Sequence, residues 1–235
     1  EVVDNAIDEF IMGNGTRIEV EVKENTVKVR DYGRGIPLGK LVECVSVINT
    51  GAKYNDDVFQ FSVGLNGVGT KAVNALSSHF RVVSVREGKL AEAIFERGKL
   101  ISERNGTVKP GIKDGTFVEF TPDTEVFGPY SFNQEFIERR MWNYAYLNSG
   151  LLINYNGKDY VSENGLLDLL NSEIEGESLY SLGYYKGKMD RIFGNQTKQA
   201  VEHFQSVNGL KIDGIVGANT WAKLDGNPIK NPIVE

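Results

Sequence analysis

The sequence is poor in the features that mark several protein classes. Its single cysteine, Cys44, cannot close an internal disulfide, which excludes a stapled secreted scaffold. With two histidines in the chain, His203 has no second His or Cys at metal-ligand spacing. No run approaches the ~18 apolar residues of a membrane helix. The first residues are acidic and lack the basic segment of a signal peptide. Neither sign of charge dominates: 26 Lys+Arg stand against 32 Asp+Glu, a net charge of −6. No basic stripe with interleaved aromatics offers a surface for nucleic acid. These absences point to a cytoplasmic protein without a membrane partner. What is present is a 40% hydrophobic content over 235 residues, enough for a packed core and, at roughly 150 residues per domain, between one and two domains.

Charge and composition change after Glu173-Ile-Glu-Gly-Glu-Ser178. Residues 179–235 carry 7 Lys+Arg and 5 Asp+Glu, whereas the rest is acidic. The expected division is 1–178, then a small module over 179–226 and a flexible tail over 227–235. In the first part, a helix over Glu1–Met12 stops at Gly13-Asn14-Gly15. Arg17–Lys23 and Thr26–Asp31 alternate as a hairpin. Leu38–Ile48, Thr70–Ser77 and Asn133–Leu147 read as helices. Phe80–Arg86, Leu90–Glu96 and Thr116–Thr121 read as strands, and Leu151–Tyr155 pairs with Lys158–Val161 across Asn156-Gly157, a type I′ signal. Helices among hairpins indicate an α+β fold, a mainly antiparallel sheet with helices on one face.

Three constellations carry chemistry. Glu1, Asn5 and Glu9 stack at i, i+4, i+8 on one helix face, beside Asp8. An acid and an amide so placed suit a water and a Mg²⁺ over a phosphate; a solvated charged face is the plain alternative. Asp31-Tyr-Gly-Arg-Gly-Ile-Pro37 follows a strand, with two glycines permitting close backbone approach and Asp31 offering an acceptor; a plain turn is the alternative. Gly64-Leu-Asn-Gly-Val-Gly69 leads into a helix, an arrangement suited to phosphate. The order Thr70-Lys71 and the lack of a clear preceding parallel strand make it a poor P-loop. Lys71 reads as a solvated helix residue, with approach to a phosphate as the alternative.

Together with Gly115-Thr116 opening a late strand, these strings resemble the GHKL ATPase superfamily. EVVDNAIDEF, DYGRGIPLGK, NTGAKY, VGLNGVGTKAVNALS and DGTFVEFTPD are similar to the ATPase domain of the B subunits of bacterial type II topoisomerases, the gyrase and topoisomerase IV group, with topoisomerase IV favoured, over roughly Glu1–Tyr180. The resemblance implies a Bergerat-type two-layer sandwich with ATP and Mg²⁺ as cofactors. Glu1 matches the general base, Asn5 the Mg²⁺ ligand, and Asp31 the acceptor of the adenine amino group, with Thr116 supporting that contact. Gly33 and Gly35 match the adenine-side turn, with Ile36 and Pro37 on the wall. Glu9 and Arg34 match a pair at the pocket mouth, or a structural salt bridge. Gly51 and Lys53 match the lid entry and a phosphate contact, and Gly67, Val68 and Gly69 the phosphate cradle. Asn66 and Ala52 depart from the His and Gly common there. The family also implies a topoisomerase A-type subunit, a homodimer, and DNA gripped only through domains absent from this sequence.

The tail holds a repeat, Asp190-Arg-Ile-Phe-Gly-Asn-Gln-Thr197 and Asp213-Gly-Ile-Val-Gly-Ala-Asn-Thr220, around a helix with an apolar stripe at Ala200, Val201, Phe204 and Val207. Residues 181–224 resemble the peptidoglycan-binding-like domain, a small three-helix module. That resemblance implies a core of Phe193, Phe204, Val207, Ile215 and Trp221, packing or sugar-stacking roles for Tyr184 and Tyr185, and peptidoglycan as a partner. Gln196-Thr197-Lys198 coincides with a transducer motif only in spelling. The mid-motif start at Glu1 and the change of family near Tyr180 lead to the expectation of a fragment or fused frame, truncated at its N-terminus and lacking transducer and cleavage domains, with weak nucleotide binding and impaired turnover. The alternative is a cell-wall binding protein whose ATPase-like part is a passenger.

Overall fold

A computed structural model describes residues 1–47, 68–166, 168–169, 179–180, 182–187 and 193–226. The chain divides into two compact units, Glu1–Ser162 and Glu163–Glu235. No described helix is long and apolar enough to cross a membrane.

The first unit is built on a mixed sheet of eight strands in the order β5-β4-β3-β6-β2-β1-β7-β8. The strands are β1 (Arg17–Lys23), β2 (Thr26–Asp31), β3 (Ser77–Arg86), β4 (Lys89–Glu96), β5 (Lys99–Thr107), β6 (Gly115–Pro122), β7 (Leu152–Tyr155) and β8 (Lys158–Tyr160). All pairings are antiparallel except β1 with β7, where Arg17 lies opposite Leu152. Among the described residues of this unit five helices are present: α1 (Val2–Ile11), α2 (Leu41–Ser46) behind a 3₁₀ turn at Leu38–Lys40, α3 (Gly69–Ala75), α4 (Thr124–Phe127) and α5 (Gln134–Leu147).

The burial period explains the layering. In β1 and β2 every second residue is buried, Ile18, Val20 and Val22 facing Val27 and Val29 across the hairpin. With Phe80, Val82, Ala91, Ala93, Phe95 and Val118 they form one apolar face, covered by Val2, Ala6 and Ile7 of α1, Leu41 and Val45 of α2, and Met141 and Ala145 of α5. The opposite face is polar, with opposite charges in register: Glu21 against Lys28, Glu19 against Arg30, and Arg81 against Glu119. Such cross-strand pairing favours the register and leaves that face to solvent.

Loops follow turn chemistry. Asn156 and Gly157 both have positive φ, as a type I′ turn requires. The Asn156 side chain also accepts from Val22 N at 2.9 Å and donates to Val22 O at 3.2 Å, pinning the hairpin to β1. Asn133 caps α5, its side chain accepting from Phe136 N at 3.0 Å.

Several expectations are corrected. The helix expected over Thr70–Ser77 ends at Ala75, and Ser77 already begins β3. The helix expected over Leu38–Ile48 is a 3₁₀ turn followed by the six residues of α2, with Ile48 outside the described residues. Strand β5 and helix α4 have no counterpart in the sequence reading. All nine residues of β5 are exposed, so no period-two signal exists to read.

In the second unit α6 (Asn195–Val207) and α7 (Ala218–Gly226) are described, with helical residues at Leu179 and Tyr180. Leu179, Tyr185, Ala200, Val201, Phe204 and Leu224 form its core, with Phe193, Tyr184 and Trp221 packed against it. Val207 and Ile215, expected inside, are 61% and 66% exposed. The side chain of Gln205 occupies the centre instead. Its Nε2 donates to Asp213 Oδ1, Ile215 O and Thr220 Oγ1 at 3.0, 2.9 and 3.1 Å. Its Oε1 accepts from Asp213 N and Gly214 N at 3.1 and 2.9 Å. One satisfied buried amide thus holds the second repeat as a turn, and an apolar stripe alone does not reveal it. The expected tail over 227–235 lies outside the described residues.

Candidate functional site

Helix α1 carries one flank of the site. Glu1 is its N-cap residue, and its carboxylate lies so close to Gly69 that a Cβ there would collide with it. One turn on, Asn5 Nδ2 donates to Thr70 Oγ1 at 2.6 Å. The N-terminal half of α1 is therefore docked on the first turn of α3, although 65 residues separate Asn5 from Thr70. Asp8, expected beside the same polar face, is buried with 1% exposure.

The opposite flank is the turn after β2. Asp31, 7% exposed, accepts on Oδ1 from Gly33 N at 2.9 Å and from Thr116 N at 3.1 Å. Among the described residues no donor reaches Oδ2. Burial pushes the Asp31 carboxyl above the usual carboxylate range, and the two backbone N–H groups pull against that shift. Thr116 joins the site through its backbone, at the start of β6, where Gly115 leaves room for Asp31: its φ is +131° and a Cβ would strike the Asp31 carbonyl.

Gly33 and Gly35 are required for different reasons. A Cβ on Gly33 would sit 2.7 Å from Glu9 Cβ, Cγ and Oε2, so the glycine admits Glu9. Gly35 has φ +72°, and a Cβ there would lie 2.7 Å from Val85 O and 2.8 Å from Ser84 Oγ. Ser84 Oγ donates to Ile36 O at 2.7 Å, tying the turn to β3. Ile36 packs against the core, and Pro37 is exposed. Glu9 closes the edge: its two oxygens accept from Arg34 Nη2 at 2.9 Å and Nε at 3.1 Å, and Oε2 also accepts from Arg34 N at 2.9 Å.

Val68, exposed, precedes Gly69 at the start of α3. Gly51, Lys53 and Gly67 lie outside the described residues. Lys71 is corrected: it is buried at 5% exposure, not solvated. Burial lowers its ammonium pKa, with Cys44 and Glu43 acting the other way. Asn74 is fully buried behind it and donates to Val45 O at 2.9 Å, joining α3 to α2.

The structure thus brings Glu1, Asn5, Gly69 and Thr70 together at one end, and Asp31, Gly33, Gly35, Thr116, Glu9 and Arg34 at the other. Sequence reasoning misses Thr70 and Ser84. Thr70 adjoins the glycine loop and has a local signal; Ser84 sits on a distant strand and has none.

Comparison with known proteins places this geometry. Residues 1–126 match the family described as histidine kinase-, DNA gyrase B- and HSP90-like ATPase. Residues 177–224 match the putative peptidoglycan binding domain family. The chain is 57% identical over 211 residues to the B subunit of DNA topoisomerase 4 from Borreliella burgdorferi, covering 89% of this chain and 35% of that protein. An alignment of that extent runs past residue 178 into the second module. The B subunit of DNA gyrase from Campylobacter jejuni is 38% identical over 164 residues, covering 66% of this chain and 21% of the relative. The 43K ATPase domain of Thermus thermophilus gyrase B, solved in complex with an aminocoumarin, superposes with a TM-score of 0.57 at 27% identity, covering 80% of this chain and 48% of that one. The chain spans about a third or less of the length of these two curated relatives.

Proposed function

The chain belongs to the histidine kinase-, DNA gyrase B- and HSP90-like ATPase family, and from that membership we propose that residues 1–178 bind and hydrolyse ATP as the nucleotide-operated module of a type II DNA topoisomerase. The observation that carries the reading is Asp31, a buried carboxylate with one oxygen fixed by two backbone N–H groups and the other facing no donor among the described residues. An acceptor held in that way beside a glycine turn suits the amino group of adenine. Gly33, Gly35, Ile36 and Pro37 form the wall of the base pocket, and the Glu9–Arg34 pair its mouth. Gly51, Lys53, Gly67, Val68 and Gly69 take the phosphates. Glu1 accepts the proton of the attacking water.

Mg²⁺ suits the donor set. Among the described residues no group of three or more His, Cys, Asp or Glu side chains converges on one point. Mg²⁺ needs no such cage, being held by one or two protein oxygens together with substrate phosphates. Asn5 supplies that oxygen here. When bound, the ion neutralises charge on the phosphates.

The boundary near residue 178 rests on the change of charge and on the second family's match beginning at residue 177. In the complete assembly the partners are a topoisomerase A-type subunit, a second copy of the chain, and DNA gripped by other domains, in the cytoplasm. A second reading, favoured by the match over 177–224, is binding of peptidoglycan by residues 179–226. Sedimentation with purified peptidoglycan tests it, and a chain that stays in the supernatant removes it.

The nucleotide reading is tested by Asp31→Asn. Loss of one hydrogen bond to a charged acceptor weakens an ATP analogue roughly 10- to 100-fold. Thermal stability at neutral pH is retained, because the removed charge was disfavoured by burial. Unchanged affinity in calorimetric titration removes Asp31 from the site.

A further inference from the structure

We propose that Ser84 is a positioning residue of the base pocket: its hydroxyl holds the wall of the turn after β2 at a fixed distance from Asp31, and the preference for adenine depends on that spacing. The proposal rests on the nucleotide reading above. A base that donates its amino group to Asp31 must at the same time lie against Ile36 and Pro37. Both contacts are made together only if the two ends of the turn keep their separation to within about 0.5 Å.

One rung of the sheet anchors both ends. Ser84 of β3 lies opposite Thr116 of β6. Thr116 N donates to Asp31 Oδ1 at 3.1 Å, and Ser84 Oγ donates to Ile36 O at 2.7 Å. The direction of the second bond is fixed by chemistry, because a carbonyl oxygen only accepts. Ser84 follows Phe80 and Val82 at period two along β3, and like them it is fully buried. An apolar residue is the ordinary choice at such a position, and a hydroxyl there costs stability unless it finds a partner. Among the described residues Ile36 O is that partner. The turn is also shaped to the hydroxyl, since a Cβ on Gly35 would lie 2.8 Å from Ser84 Oγ. The other tie from β3 is longer: Arg86 Nη1 reaches Gly35 O at 3.4 Å, near the limit of a hydrogen bond and at the end of a side chain with more rotational freedom.

The test compares two nucleotides that differ only at the base: a non-hydrolysable ATP analogue, and the same analogue with hydrogen in place of the adenine amino group. Their affinity ratio, measured by calorimetry in Mg²⁺, reports the amino contact and cancels any effect on the phosphate end. The parent chain should prefer the amino compound by at least about tenfold. Ser84→Ala is expected to reduce that preference at least about threefold. Ser84→Cys, with nearly the same shape and a weaker donor, should fall between the two. In an Asp31→Asn background, where the amino contact is already weakened, adding Ser84→Ala should change the ratio less than it does in the parent chain. A full preference in Ser84→Ala overturns the assignment, and so does an equal loss of both nucleotides with the preference intact, which makes Ser84 a core residue only. The same change of ratio in both backgrounds overturns it too, because Ser84 would then act apart from Asp31. A parent chain that binds neither nucleotide, or both equally, defeats the reading of Asp31, and the assignment with it.

Discussion

Replacing Gly35 by alanine tests how the turn after β2 is built. Two separate effects oppose the added methyl. The backbone at Gly35 is left-handed, φ +72°, a conformation that costs an L-residue about 1–2 kcal/mol. The Cβ would also lie 2.7 Å from Val85 O and 2.8 Å from Ser84 Oγ. One of those atoms is backbone of a central strand and cannot swing aside, so an overpacking cost of about 1–3 kcal/mol is added. Gly88 supplies the control. Its φ is +76°, and nothing stands within 4 Å of a Cβ there, so Gly88→Ala carries the conformational cost alone. Urea denaturation followed by tryptophan fluorescence reads both. With a slope of about 2 kcal/mol per molar for a domain of this size, Gly35→Ala should lower the midpoint by roughly 1–2.5 M and Gly88→Ala by about 0.5–1 M. Equal midpoints for the two variants would refute the close packing of the turn against β3.

Other outcomes follow from the same reasoning. Burial pushes the Glu92 carboxyl up, but Arg104 and Arg81 more than offset it and leave its pKa lowered. A depressed folded pKa contributes stability above the unfolded value that is lost as pH falls through the folded one, so Glu92→Gln should destabilise by about 1–2 kcal/mol at pH 7 and by less in acid, as denaturation at the two pH values will show. Asp31 has the opposite sign. Its folded pKa is raised by burial, so its contribution to stability grows as pH falls through that pKa, while analogue affinity declines over the same interval; an affinity flat across it would contradict the role. In the second module Gln205→Glu turns an acceptor toward Asp213 Oδ1 and Ile215 O. Hydrogen exchange at the Asp213 and Gly214 amides should then quicken by at least about tenfold at neutral pH, equivalent to losing one buried hydrogen bond, and recover in acid as the introduced carboxylate protonates.

Much of the fold can be read from local pattern. The β1–β2 hairpin shows its burial period, Asn156-Gly157 its turn type, and Asn133 its cap, because each depends on neighbours in sequence. The turn after β2 is legible as a turn for the same reason: two glycines follow directly on the strand end. What cannot be read depends on distant contacts. Strand β5 is exposed on both faces and has no period. Lys71 looks solvated in sequence because its burial is set by α2, and Val207 and Ile215 look internal because a polar residue, Gln205, holds the centre of their module. The link from Ser84 to Ile36 crosses the sheet and leaves no trace in the sequence.

Whether Asp31 reads an adenine amino group is tested directly by a calorimetric comparison of non-hydrolysable ATP and GTP analogues on the intact chain in Mg²⁺. Guanine carries a carbonyl where adenine carries the amino group, so acceptor would face acceptor. Binding of the adenine analogue with at least about tenfold preference is predicted. Equal affinity for the two bases, or binding of neither, would contradict it.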